Sequence, residues 1–218
     1  MTVAFRQAAL EAALARLFPP GVAVSAEPII GGREDNLWPA EAKAMTGAVA
    51  SRKAEFAAGR IAARRALMAI GHRPTAIPVS LDRAPIWPAG IGGSIAHSAG
   101  LAIAAVRIGG PLGIDIEEDA ALEPALWPVI CAPDELAMLP ESDRGRYVRH
   151  VFSAKEAAYK AQFPLTESLF GFASLAVRLT DGGFVASLRH TVSGLRAGHE
   201  LHGRLVIYQG VVFTGVTI

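Results

Sequence analysis

Three short apolar runs follow one another through the middle of the chain, "SIAH", "LAIAAVRI" and "LGIDIE", separated only by the small-residue turns "SAG" and "GGP". Apolar runs of this length cut by glycine and proline read as strands, and turns this short make successive strands neighbours. The middle run is apolar at both parities, so its sheet is expected to be covered on both faces. The alanine-rich stretch before it, from about Pro39 to Ile70 and closed by Gly71, supplies a helix for one of them. Upstream, Phe5, Leu10, Leu14 and Leu17 recur at helical spacing until "FPPG" stops the helix. Downstream, a helix over about 143–161 contains "FSAKEAAYK". A strand meander follows through "FASLAVRL", "FVASLRH", "ELHGRLVIY" and "VVFTGVTI". Helix then strands occurs twice. This order predicts an α+β fold of two similar halves, residues 1–110 and 111–218, meeting near Gly109 and Gly110.

Composition supports a chain with a large core and limits what it does. Its 218 residues are 51% hydrophobic and only 19% charged, enough for one large domain or two fused small ones. The net charge of +1 argues against a protein built for bulk nucleic-acid binding. Arg6, Glu11 and Arg16 interrupt the apolar N-terminal stretch, and no later run is long enough to span a bilayer, so a cytoplasmic protein is expected. Cys131 is the sole cysteine, which excludes an intrachain disulfide or a thiolate metal cluster and reads as a buried small hydrophobe.

The run "GIDIEE" ends in acids. Side chains alternate along a strand, so Asp115 and Glu117 share one face while Leu112, Ile114 and Ile116 take the other. Two carboxylates about 7 Å apart on one face repel unless a cation lies between them. A hard divalent ion such as Mg²⁺ suits oxygen ligands of this kind; a solvated strand end is the ordinary alternative. In "FSAKEAAYK", a helix puts Val151, Ala154 and Ala158 on the packing face and Glu156 and Lys160 on a common ridge, flanked by Lys155 and Tyr159. The plain reading is an exposed i,i+4 pair. Yet the chain has only four lysines, and two of them flank this one glutamate. A compact ammonium neutralises phosphate where a planar guanidinium does not fit.

"GIDIE" followed by "FSAKEAAYKA" resembles the two-motif signature of the 4′-phosphopantetheinyl transferases, in their longer pseudodimeric class that serves siderophore and other secondary-metabolite synthases. The resemblance extends upstream to "RKAEFAAGRIAARRAL", similar to that class's R-x-x-E-F-x-x-G-R segment. It also takes in "RAPIWPAGIGGSIAHSAG", similar to its proline-tryptophan stretch leading into G-S-I-x-H. It implies two α+β halves related by a pseudo-twofold within a monomer, with coenzyme A in the cleft between them. Asp115, Glu117 and Glu156 match Mg²⁺ ligands, with Mn²⁺ as the alternative ion. Lys155 and Lys160 match phosphate-side lysines, Arg52 and Arg60 the residues at the 3′-phosphate end, and His97 a pyrophosphate contact. Arg83 is the basic residue in the segment where relatives often carry a coenzyme-side lysine. Ala96 departs from the usual hydroxyl residue before the histidine.

The implied reaction is attack by a serine of an apo acyl or peptidyl carrier protein on the β-phosphate of coenzyme A, releasing adenosine 3′,5′-bisphosphate. Lys160 would stabilise charge and Glu156 take the serine proton, with Glu135 as second candidate. Arg144, Arg146, Tyr147 and Arg149, just before the catalytic helix segment, are expected to dock the carrier. Arg64 and Arg65 read as a solvated helix face. Two rival readings are weaker. A coenzyme A acyltransferase should show an R-x-x-G-x-G/A loop, which is absent. A nucleic-acid module using the helix 52–65 conflicts with the near-neutral charge and with Phe56 and Ile61. In "HELH", His199 and His202 would face opposite ways on a strand, so no metal site is expected there.

Overall fold

The computed structural model describes residues 7–218; Phe5 of the expected first helix lies outside them. The helices are α1 (Gln7–Leu14), α2 (Pro39–Ala42), α3 (Ala50–Ala69), α4 (Trp127–Ile130), α5 (Pro133–Met138) and α6 (Arg144–Thr166). The strands are β1 (Val22–Pro28), β2 (Ile91–Ser98), β3 (Leu101–Ile108), β4 (Leu112–Glu118), β5 (Leu175–Thr180), β6 (Gly183–Leu188), β7 (Glu200–Tyr208) and β8 (Val211–Thr217). The class is α+β. Two antiparallel sheets form, ordered β1-β3-β2 and β4-β8-β7-β6-β5. The hairpin β2–β3 turns through Ala99 (φ 52°) and Gly100 (φ 75°), the two positive φ values that a tight two-residue turn requires.

The dual apolar parity of β3 has the expected cause. Leu101, Ile103 and Ala105 join a cluster with Leu10, Leu14 and Phe213, while Ala104 faces Ala62, Ala63 and Leu67 of α3. The long alanine-rich stretch is not one helix: α2 and a 3₁₀ turn precede α3, whose end is followed by Gly71 at φ 80°. The expectation that β3 and β4 are ladder neighbours is corrected. β4 pairs with β8, Leu112 opposite Thr217 through Glu118 opposite Val211, so the turn Gly109–Pro111 carries the chain from one sheet to the other. β4 instead meets β2 between sheets, where the Ile114 amide donates to Ser94 Oγ at 3.2 Å. A Cβ on Gly92 would stand 2.1 Å from the Gly110 carbonyl oxygen, which explains a glycine at that crossing.

Segments before residue 109 build the three-stranded sheet and those from 112 build the five-stranded one, yet one apolar cluster joins them. It holds Leu14, Phe18 and Ile103 from the first and Ile114, Ile116 and Phe213 from the second. Each fully buried large side chain in it stabilises by about 1.5–3 kcal/mol, so the two sheets share a core.

The placement of α6 on β4 decides the site. Leu112, Ile114 and Ile116 turn into the shared core; the opposite parity, Gly113, Asp115 and Glu117, faces α6. A Cβ at Gly113 would lie 1.9 Å from the Ala157 carbonyl oxygen, so helix and strand touch backbone to backbone there. Around that contact α6 is buried more widely than the expected stripe, with Val148, Val151, Ala154, Ala157, Ala158 and Ala161 all closed off from solvent. The helix also runs beyond the expected end at Ala161, to Thr166.

Candidate active site

The seam between α6 and β4 is polar because alternate β4 residues meet successive turns of the helix. Arg146 holds both Asp119 oxygens through the Nε/Nη2 edge of its guanidinium, Nε at 2.7 Å from Oδ1. Arg149 Nη1 donates to Glu117 Oε2 at 3.0 Å. Ser153 Oγ donates to Asp115 Oδ2 at 2.9 Å and Lys160 Nζ to Asp115 Oδ1 at 2.6 Å. Lys160 also reaches the Ile114 carbonyl. Arg146, Ser153 and Lys160 are spaced by sevens, which keeps them on one helix face.

Glu117 and Glu156 both feel the charge of Asp115. Burial, then the charge of Asp115, pushes Glu117 up to about 7, with Arg149 and Lys160 opposing. Burial also raises Glu156; Lys160 opposes this and Asp115 adds to it. Lys160 and Arg149 offset part of this negative charge, and an all-oxygen donor set of this kind fits a hard divalent cation. It is not pre-assembled: among the described residues no three His, Cys, Asp or Glu side chains converge as a metal site, because Asp115 is turned to Lys160 and Glu117 to Arg149.

Four expected coenzyme-side residues come together elsewhere in the cleft. Arg52, Arg60, Arg83 and His97 line one cavity of about 390 Å³ with Glu55 and Phe56. Arg52 Nη1 donates to His97 Nε2 at 2.7 Å. That bond requires the neutral ring, and burial, with Arg52 and Lys160 adding and Glu55 and Asp115 opposing, lowers the His97 pKa accordingly. Arg60 is buried, stacks over Phe56 at 3.9 Å and donates Nε to the Ile77 carbonyl at 2.9 Å. Burial lowers its pKa to about 10, and its Nη2 has no partner. Arg83, at φ 64°, also borders a second cavity of about 250 Å³ with Trp87, Tyr159 and Lys160. Tyr159 in turn borders a third, of about 100 Å³, beside Glu156 and Phe170. Through these shared residues the basic cavity neighbours those bordered by Lys160 and Glu156.

Several expectations are corrected. Lys155 is 1% exposed and is not a free phosphate-side cation: its ammonium donates to the Ile130 carbonyl at 2.7 Å, Glu135 Oε2 at 2.8 Å and the Phe172 carbonyl at 3.0 Å. Glu135 is equally committed, accepting from the Val177 amide at 2.8 Å and the Ala132 amide at 2.9 Å, which removes it as a base. Arg146 and Arg149, expected to dock a carrier, pair with Asp119 and Glu117 and remain partly exposed. Arg64 is no solvated cation; it grips the buried Glu41 at 2.7 and 2.8 Å, whereas Arg65 stays exposed as expected and pairs there with buried Glu27. Ala96 sits in the shared core, on the opposite strand face from His97, so its missing hydroxyl would not have lain beside the histidine. Cys131 is buried, its thiol raised to about 11 by burial and then by Glu135.

Sequence reasoning missed Ser153, which lies one heptad before Lys160 and was recoverable from helical spacing. It also missed Thr214, whose place depends on the β4–β8 register and leaves no local signal.

Comparison with known proteins shows the family. Residues 40–107 match the model for the 4′-phosphopantetheinyl transferase N-terminal domain, and residues 111–205 the model for the 4′-phosphopantetheinyl transferase superfamily. The chain is 36% identical to 4′-phosphopantetheinyl transferase Npt of Nocardia iowensis, over 76% of this chain and 77% of the relative. It is 34% identical to PptT of Mycobacterium tuberculosis, over 83% and 85%, and 40% identical to enterobactin synthase component D of Salmonella typhimurium, over 66% and 62%. The chain belongs to the 4′-phosphopantetheinyl transferase family, enzymes that move phosphopantetheine from coenzyme A to carrier proteins. No helix among the described residues is long and apolar enough to cross a membrane.

Proposed function

We propose that coenzyme A lies along the neighbouring cavities, with its 3′-phosphate end at Arg52 and Arg60 and its pyrophosphate near His97, Lys160 and the Asp115 cluster. The observation that carries this reading is the shared wall: Arg83 joins the basic cavity to the one holding Lys160, and Tyr159 joins that to the one beside Glu156. A long ligand with phosphates at two places matches that layout. Arginine suits the terminal phosphate because its fork can bind two oxygens. Asp115, Glu117 and Glu156 would hold Mg²⁺, which supplies charge neutralisation at the pyrophosphate when bound; Mn²⁺ suits the same donors.

The carrier serine oxygen bonds to the β-phosphorus as the phosphoanhydride bond breaks, and adenosine 3′,5′-bisphosphate departs with the electron pair. Lys160 offsets charge on the transferring phosphoryl group, and Glu156 accepts the serine proton. Lys155 belongs to the scaffold in this reading. The two halves, divided near residue 110, act as one cytoplasmic monomer on siderophore or other secondary-metabolite carriers. The relatives named enterobactin synthase component D support that substrate class.

Replacing Glu156 with Gln should lower kcat by about 10²-fold or more, the scale for removing one charge-stabilising group, with the melting temperature kept. Undiminished turnover at saturating Mg²⁺ would remove Glu156 from the site.

A further inference from the structure

Ser153 lies inside α6 with no solvent exposure, as does Thr214 on β8. A serine in mid-helix usually turns its hydroxyl back to a carbonyl of the preceding turn. Ser153 instead reaches Asp115 Oδ2 at 2.9 Å, and stands 2.9 Å from Thr214 Oγ1. Thr214 is the register partner of Asp115 across the β4–β8 ladder, and its hydroxyl donates to the Ser153 carbonyl at 2.9 Å. The hydrogens can be counted. Thr214 has one, given to the carbonyl. Ser153 has one, and of its two neighbours the carboxylate is the stronger acceptor. With Lys160 on Oδ1, both oxygens of Asp115 are held from points one heptad apart on the same rigid helix.

We propose that Ser153, seated by Thr214, is a positioning residue that holds the Asp115 carboxylate by Oδ2, so that Oδ1, the oxygen Lys160 now holds, is the one offered to the divalent ion. The inference rests on the reading of Asp115 as a ligand. Partners of this kind orient the ligand that touches the metal, and their loss usually costs about 10- to 100-fold in metal affinity or activity. A purely structural serine would change stability and leave metal affinity alone.

The test is Mn²⁺ binding in the presence of coenzyme A, followed by the electron paramagnetic resonance signal of free Mn²⁺, on the parent, Ser153→Ala and Asp115→Asn. Ser153→Ala should weaken Mn²⁺ binding by about 10- to 100-fold. The Mg²⁺ concentration for half-maximal rate should rise by the same factor, with kcat recovering at saturating Mg²⁺. If Asp115→Asn loses binding while Ser153→Ala binds as the parent does, the positioning role is overturned and Asp115 stands. If Asp115→Asn also binds as the parent does, the ligand reading falls and this inference with it. Should Ser153→Ala not fold, Ser153→Cys carries the measurement with a weaker donor of similar size: a partial loss supports the role and parent-like binding overturns it.

Discussion

Arg60 shows how much a single side chain can be asked to do. It is 5% exposed, stacked on Phe56, bonded to the Ile77 carbonyl, and still has an unpartnered nitrogen beside the basic cavity. A buried donor without a partner is costly, and a phosphate oxygen would satisfy it. Arg60→Ala should therefore weaken coenzyme A by about 10- to 100-fold, the value of a charge-assisted hydrogen bond, and dephospho-coenzyme A far less. Equal losses in a titration of both ligands would assign Arg60 to helix packing alone. At this scale the sequence was a partial guide. The resemblance implied a 3′-phosphate site at Arg52 and Arg60 and a pyrophosphate contact at His97, and the structure brings all three to one cavity. Lys155 looked like their partner because it neighbours Glu156, but consecutive helix residues point about 100° apart, and that rotation carries it into the core.

At the scale of elements, Lys155 and Glu135 form a clip. The ammonium ties α6 to the end of α4 and to the Phe172 turn, while Glu135 ties α5 to β5 through the Val177 amide. Breaking such a buried pair leaves one charge unpaired and costs about 3–5 kcal/mol. Lys155→Met should accordingly lower stability by that amount in urea unfolding while leaving the KM for coenzyme A of the folded fraction unchanged; a raised KM at parental stability would return Lys155 to the phosphates. The elements themselves were largely legible, since periodicity and glycine punctuation follow local rules. The partner of β4 was not. A three-residue turn suggests a hairpin, and only the close crossing of Gly92 and Gly110 and the pairing with β8 send the chain into a second sheet.

For the whole molecule, the shared core of α1, β3, β4 and β8 fixes the two sheets against each other. That spacing keeps the basic cavity, lined from α3 and β2, in register with Asp115 on β4 and Glu156 on α6. On the proposed reading, this one cleft transfers phosphopantetheine from coenzyme A to a carrier serine. Intact-protein mass spectrometry of apo carrier proteins incubated with the enzyme, coenzyme A and Mg²⁺ tests it directly. A phosphopantetheine-sized gain on the carrier is predicted, absent when Mg²⁺ is chelated and absent when the carrier serine is alanine. A gain that persists undiminished without divalent metal, or no gain across siderophore-type and other secondary-metabolite carriers, would contradict the account.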